Sequence, residues 1–206
     1  MQVPIELWGV DELKEIATNG FKALNVSCKD PVIRRLADES FGSPHLMQDF
    51  CGSLCRLNNV AETITIPIEL KEPDSWGSFF RQRASEASKT AFDRLAMGPR
   101  QRTERMQRPK IDGGTLDIYK AVLLAIANTG PKLSLSYEDL RASLRDVLKE
   151  LPAAHEISRV LDKMTEIAKR DIEGELVVDW DKSYSTLHVS DPFFAYYLKW
   201  AIKIID

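Results

Sequence analysis

Four arginines, Arg100, Arg102, Arg105 and Arg108, follow one another at intervals of two or three residues in the segment GPRQRTERMQRPKIDGG, with Glu104 the single carboxylate among them. A planar guanidinium holds a phosphate through paired hydrogen bonds, which a lysine ammonium cannot do. These four are therefore candidate contacts for a phosphate group or a nucleic acid. They belong to a longer basic stretch from Arg81 to Lys110, where nine basic residues stand against Glu86, Asp93 and Glu104. Such a stretch can touch nucleic-acid phosphates, lend an arginine to a neighbouring subunit's nucleotide, or run as a solvated linker.

A second candidate lies in ESFGSPHLMQDFC, where Gly42, Ser43 and Pro44 interrupt two helical patterns and His45 follows at once. Glycine suits the positive φ at the end of a helix, serine caps the next one, and proline fits its first turn. The three residues read as a stop and a start fused together. The helix N-terminus they create carries about half a positive charge, which favours a nearby phosphate.

Other chemistry is missing from the pattern. No Ser/His/Asp or Cys/His order suggests a hydrolase, and three histidines scattered over three elements make no catalytic cluster. Cys51 and Cys55 are one helical turn apart, with Cys28 and His45 nearby in sequence, but their place on an apolar stripe reads as buried thiols, not as a metal site. No metal is expected. A phosphate loop needs a glycine-rich turn ending in Gly-Lys-Ser/Thr, and the chain contains no Gly-Lys pair. It also lacks an apolar strand ending in Asp-Glu to hold magnesium. By itself it is not expected to hydrolyse ATP.

The elements that must position these candidates are mostly helices. Val10, Leu13, Ile16, Ala17, Phe21 and Leu24 predict a first helix, Asp30-Pro31 opens a second, and Leu46, Met47, Phe50, Cys51 and Leu54 line a third. ETITIPIEL reads as a short strand that Pro67 confines to an edge. Trp76 to Leu95 reads as one helix, halted by Gly98-Pro99, and the arginine segment after it reads as a linker or clamp. Three further helices are predicted around Leu116–Ala127, Leu140–Leu148 and Ile157–Ala168, with a capping pattern at Ser136. A hairpin then joins ELVVDW to STLHVS through Asp181-Lys182-Ser183, and Asp191-Pro192 caps a last helix, FFAYYLKWAIKI. Three helices, a hairpin and a closing helix describe a winged helix-turn-helix. Its third helix has four basic and four acidic residues between Glu156 and Asp171, a poor balance for gripping DNA phosphates.

With 206 residues, 44% hydrophobic and 29% charged, the chain can bury its cores without disulfides or a metal. No apolar run approaches a membrane span, the opening residues carry no export signal, and three cysteines outside any disulfide framework suit a reducing compartment, so a cytoplasmic location and no membrane partner are expected. Basic against acidic residues number 6 to 10 in residues 1–70, 10 to 6 in 71–114 and 12 to 15 in 115–206, so the middle is basic and both flanks acidic.

Two helical units in this order resemble the C-terminal part of STAND/AAA+ P-loop ATPases of the bacterial and archaeal type. The carrying residues are ESFGSPHLMQDFC, similar to the Gly-x-Pro element of STAND lids, SDPFFAYYLKW, similar to the Asp-Pro-aromatic ending of that group, and LWGVDELKEIATNGF, which resembles the first lid helix. The resemblance implies a mainly α chain with a helical lid over residues 1–60, a connector with one helix and the arginine-rich linker over 61–112, and a winged-helix domain with a small β-hairpin wing over 113–206. It also implies nucleotide contact by Gly42, Ser43, Pro44 and His45, with the proline against the adenine. Arg56 comes too late in the third helix for the γ-phosphate sensor of many lids, and His188 in LHVSD stands roughly where some relatives present a histidine to the β-phosphate. ATP or ADP would bind only together with a P-loop ATPase domain outside this chain, in cis or in trans. The chain would be a piece or a relic of such an ATPase, a nucleotide-state-dependent switch and protein interaction unit. A homo-oligomer and nucleic acid are the further partners these features admit. The alternative reading is a nucleic-acid-binding regulator that uses the winged helix and basic linker together, and a third is a pure protein–protein adaptor.

Overall fold

The computed structural model describes residues 7–83, 86–100, 104–172 and 176–202, without the side chains of Glu86 and Ala87. Among them are nine helices and three small sheets, so the chain is mainly helical. None of these helices is long and apolar enough to cross a membrane. The fold divides into two compact units, Met1–Gln82 and Arg83–Asp206.

The first unit holds α1 (Val10–Ala23), β1 (Val26–Ser27), α2 (Asp30–Asp38), α3 (Pro44–Leu57), β2 (Ile68–Glu69) and α4 (Trp76–Arg81). Helix α1 packs on α2 and α3 through Leu13, Ala17 and Phe21, against Leu36, Leu46, Met47, Phe50 and Leu54, all buried. The predicted apolar stripes are thus the core-facing ones. From the middle of α3 the core continues into aromatics: Phe80 meets Phe50 edge-on at 5.2 Å and stacks on Trp76 at 5.5 Å, with the Arg35 guanidinium 5.0 Å from the Trp76 ring. Of ETITIPIEL only Ile68–Glu69 forms a strand, parallel to Val26–Ser27; Asn25 holds the preceding stretch through its side-chain amide, which donates to the Ile64 carbonyl at 3.0 Å.

The second unit holds α5 (Glu86–Met97), β3 (Arg108–Pro109), β4 (Thr115–Leu116), α6 (Ile118–Asn128), β5 (Ser134–Ser136), α7 (Tyr137–Val147), α8 (Ala154–Asp171), β6 (Asp179–Asp181), β7 (Thr186–His188) and α9 (Pro192–Trp200). Helix α6 is central, packing on α5, α7, α8 and α9; its Ala121, Val122, Leu123, Ala125 and Ile126 are fully buried, which explains a helix apolar on several faces. The antiparallel sheet runs β5-β7-β6, with Leu135, Leu187 and Trp180 in register on its buried face.

Two expectations change, and one strand was not expected. Trp76 to Leu95 is not one helix: α4 stops at Arg81 and α5 starts at Glu86, one in each unit. The segment after Gly98-Pro99 is more than a linker, because Arg108–Pro109 pairs with Thr115–Leu116 across the Gly113-Gly114 turn, where both glycines take positive φ. Strand β5 escaped the sequence pattern, since three residues leading straight into a helix cap carry too little alternation to register.

Candidate functional site

The Gly-Ser-Pro turn is built by backbone rules. Helix α2 ends at Asp38, four residues before Gly42, so Gly42 is not its cap; the chain turns through Phe41 at φ 49° and Gly42 at φ 73° instead. Ser43 does cap α3: its Oγ accepts the Leu46 N–H at 3.3 Å, and Pro44 occupies the first turn. Ser43 is buried, Gly42 and Pro44 are half-buried and His45 is exposed. The chain entering α1 lies across this turn, with the Trp8 N–H donating to the Gly42 carbonyl at 3.0 Å. A Cβ on Gly42 would come within 2.7 Å of Leu7 Cβ, so this glycine is required both for its φ and for that close approach.

A larger hollow of about 620 Å³ in the same unit is walled by Lys22, Asn25, Ser27, Cys28 and Glu69 among others, and by none of residues 42–45. Cys51 and Cys55 are buried and Cys28 half-buried. Burial pushes the Cys28 thiol up to about 11 and the Cys51 thiol up to about 12, so neither is a ready nucleophile. Among the described residues no group of three or more His, Cys, Asp or Glu stands close enough to hold a metal ion.

In the second unit the predicted arginines part company. Arg100 is exposed, and Arg102 lies outside the described residues. Arg105 and Arg108 line one cavity of about 410 Å³ with Pro99, Glu104, Met106, Ile118, Tyr119, His155, Glu156, Arg159 and Val160. Arg105 is held from three sides. It donates to the Pro99 carbonyl at 2.7 Å, lies 4.7 Å from the Tyr119 ring centre, and sits 4.0 Å from Asp117. Gly98 makes room for this stack, since a Cβ there would meet Arg105 Nη2 at 2.9 Å and Tyr119 Cδ1 at 3.0 Å. Burial raises the Tyr119 hydroxyl above its ordinary value, against the pull of Arg105. Arg108 donates to Glu156 at 2.7 Å. That carboxylate also accepts the Ala153 N–H at 2.9 Å, and these bonds, the backbone one foremost, hold its pKa below the usual glutamate value.

The sequence singled out neither Arg159 nor His155 as site residues. His155, Glu156 and Arg159 share one face of α8 by their spacing, a signal that was legible; that this face meets Arg105 and Arg108 was not. The remaining cations of α8 and the β6–β7 hairpin all have carboxylate partners: Lys163 with Glu166 at 2.6 Å, Lys182 with Asp162 at 2.9 Å, Lys169 with Asp179 at 3.0 Å and Arg170 with Asp171 at 2.8 Å. Arg159 alone among them makes no ion pair among the described residues. His188 lies in β7, in register with Ser134 and Asp179.

Comparison of the chain with family models, curated proteins and solved structures gives no match.

Proposed function

We propose that the chain is the lid and winged-helix module of a STAND/AAA+ ATPase, acting as the moving half of a nucleotide-dependent switch and as a protein interaction unit. The observation that carries this reading is the layout of the second unit. Helix, strand, helix, helix and hairpin, with sheet order β5-β7-β6, supports a winged helix-turn-helix reading in which β6–β7 would be the wing, and the Asp-Pro-aromatic segment follows as α9.

The first unit supports it. Gly42, Pro44 and His45 are the members of the turn that reach the surface at the start of α3, where a purine and its phosphates would be met; the Ser43 hydroxyl is taken by capping. The Trp8–Gly42 bond ties the chain entering α1 to the turn. The P-loop domain, in cis or in trans, supplies the remaining contacts to ATP or ADP and all of the catalysis. A switch of this kind needs contacts that differ between the two nucleotide states.

The nucleic-acid alternative draws on the same layout, but the α8 and hairpin cations other than Arg159 already meet carboxylates, so a DNA phosphate placed there faces nearly as much negative as positive charge. A protein surface suits that face better. In the complete ATPase, Pro44→Ala is expected to weaken nucleotide affinity about tenfold in a fluorescence titration; unchanged affinity removes the turn from the nucleotide site. A duplex titration of the chain at low salt is expected to stay flat.

A further inference from the structure

We infer that the cavity bounded by β3 and the first turns of α6 and α8 binds a phosphorylated small molecule, its phosphoryl group held by Arg108 and Arg159 and its organic part seated against Met106, Ile118 and Val160. This goes beyond the switch reading and stands whether or not the Gly-Ser-Pro turn meets nucleotide.

Charge is the first ground. Three arginines line the cavity against two carboxylates, Glu104 and Glu156. Asp117 stands beside Arg105, its Oδ2 4.0 Å from the guanidinium and its Oδ1 accepting the Tyr119 and Lys120 N–H groups at 2.9 and 3.2 Å. With Arg105 paired to Asp117 and Arg108 to Glu156, Arg159 is the cavity arginine that makes no ion pair among the described residues, beside a recess where the Arg105 and Arg108 side chains are only 18% and 15% exposed.

Unmet hydrogen bonding is the second. Arg105 Nε and Arg108 Nε are both buried without a partner. Buried donors normally find an acceptor, and two orphans on neighbouring side chains of one cavity point to an acceptor-rich guest around which these side chains settle. A phosphoryl group, with three oxygens and up to two negative charges, meets that demand better than water.

Preorganisation and size complete the case. Arg105 is held by Pro99 and Tyr119, and Arg108 by Glu156, so both guanidinium groups are already ordered beside the cavity and need only a small shift to present Nε to a ligand. Arg159 is exposed and makes no ion pair, free to close over an anion from the open side. The volume of about 410 Å³ falls in the range of small-molecule sites and exceeds what a bare phosphate fills, while Met106, Ile118 and Val160 offer an apolar wall for a base or sugar. A recess of this kind accepts a terminal phosphoryl group more readily than the continuous backbone of a duplex.

The test is calorimetry on the full chain with inorganic phosphate, AMP and adenosine. Saturable binding of phosphate and AMP but not adenosine is expected, with AMP tighter than phosphate because the apolar wall takes the organic part; equal affinity of the two overturns that seat. Arg159→Glu should weaken AMP binding at least about tenfold while leaving the thermal midpoint unchanged, because the side chain is exposed and supports nothing else. Arg159→Gln should act in the same direction by a smaller factor. No saturable signal up to about 10 mM ligand, equal binding of adenosine and AMP, binding of duplex DNA alone, or affinity indifferent to Arg159→Glu each overturns the proposal.

Discussion

The Gly-Ser-Pro turn and the arginine cavity are both candidate phosphate sites, and they are made in opposite ways. The turn is local: its φ angles, its serine cap and its proline are settled within six residues, and only the Leu7–Trp8 crossing comes from elsewhere. The cavity is assembled from β3, the start of α6 and one face of α8, with 53 positions between Arg105 and Arg159. Two motifs that look alike as candidates therefore depend on different physics. The first rests on backbone conformation, and the second on packing and charge brought together by the second unit's core.

That contrast can be broken first at Gly42. Valine there faces φ 73° and the Leu7 Cβ together, so chemical denaturation should show a loss of about 2 kcal/mol, with the Trp8–Gly42 bond opened. A loss near zero would mean that the turn tolerates an ordinary side chain and is not conformationally set. Ser43→Ala comes next: losing the cap to Leu46 should cost about 1 kcal/mol by the same measurement, without touching the AMP affinity of the second unit.

The smallest expected effect sharpens the other side. Glu156 has a folded pKa below its unfolded one, so its contribution is present above the ordinary glutamate range and is lost as pH falls through the lower folded value. Glu156→Gln should therefore flatten the acid limb of a stability-against-pH curve slightly, the effect muted because the carboxylate is 36% exposed. An unchanged acid limb would take Glu156 out of the balance that orients Arg108.

Helical stripes, stops and caps were readable because they obey spacing and terminus rules. Val10–Ala23, the Ser43 cap, the Ser136 cap and the Asp191 cap all stand where the pattern put them. The break between α4 and α5 was not readable, since the apolar spacing runs on through Arg81–Ala87 as if one helix continued. Nor was β5, whose three residues owe their strand conformation to pairing with β7.

By itself the sequence determined the mainly helical character, most helix starts and the Ser43-Pro44 opening of α3, because each follows from interactions within a few residues. Only the tertiary structure decided which arginines share a wall. Arg105 and Arg108 join Arg159 there, and Arg100 does not, because meeting across the core depends on how α6 and α8 pack and not on distance along the chain.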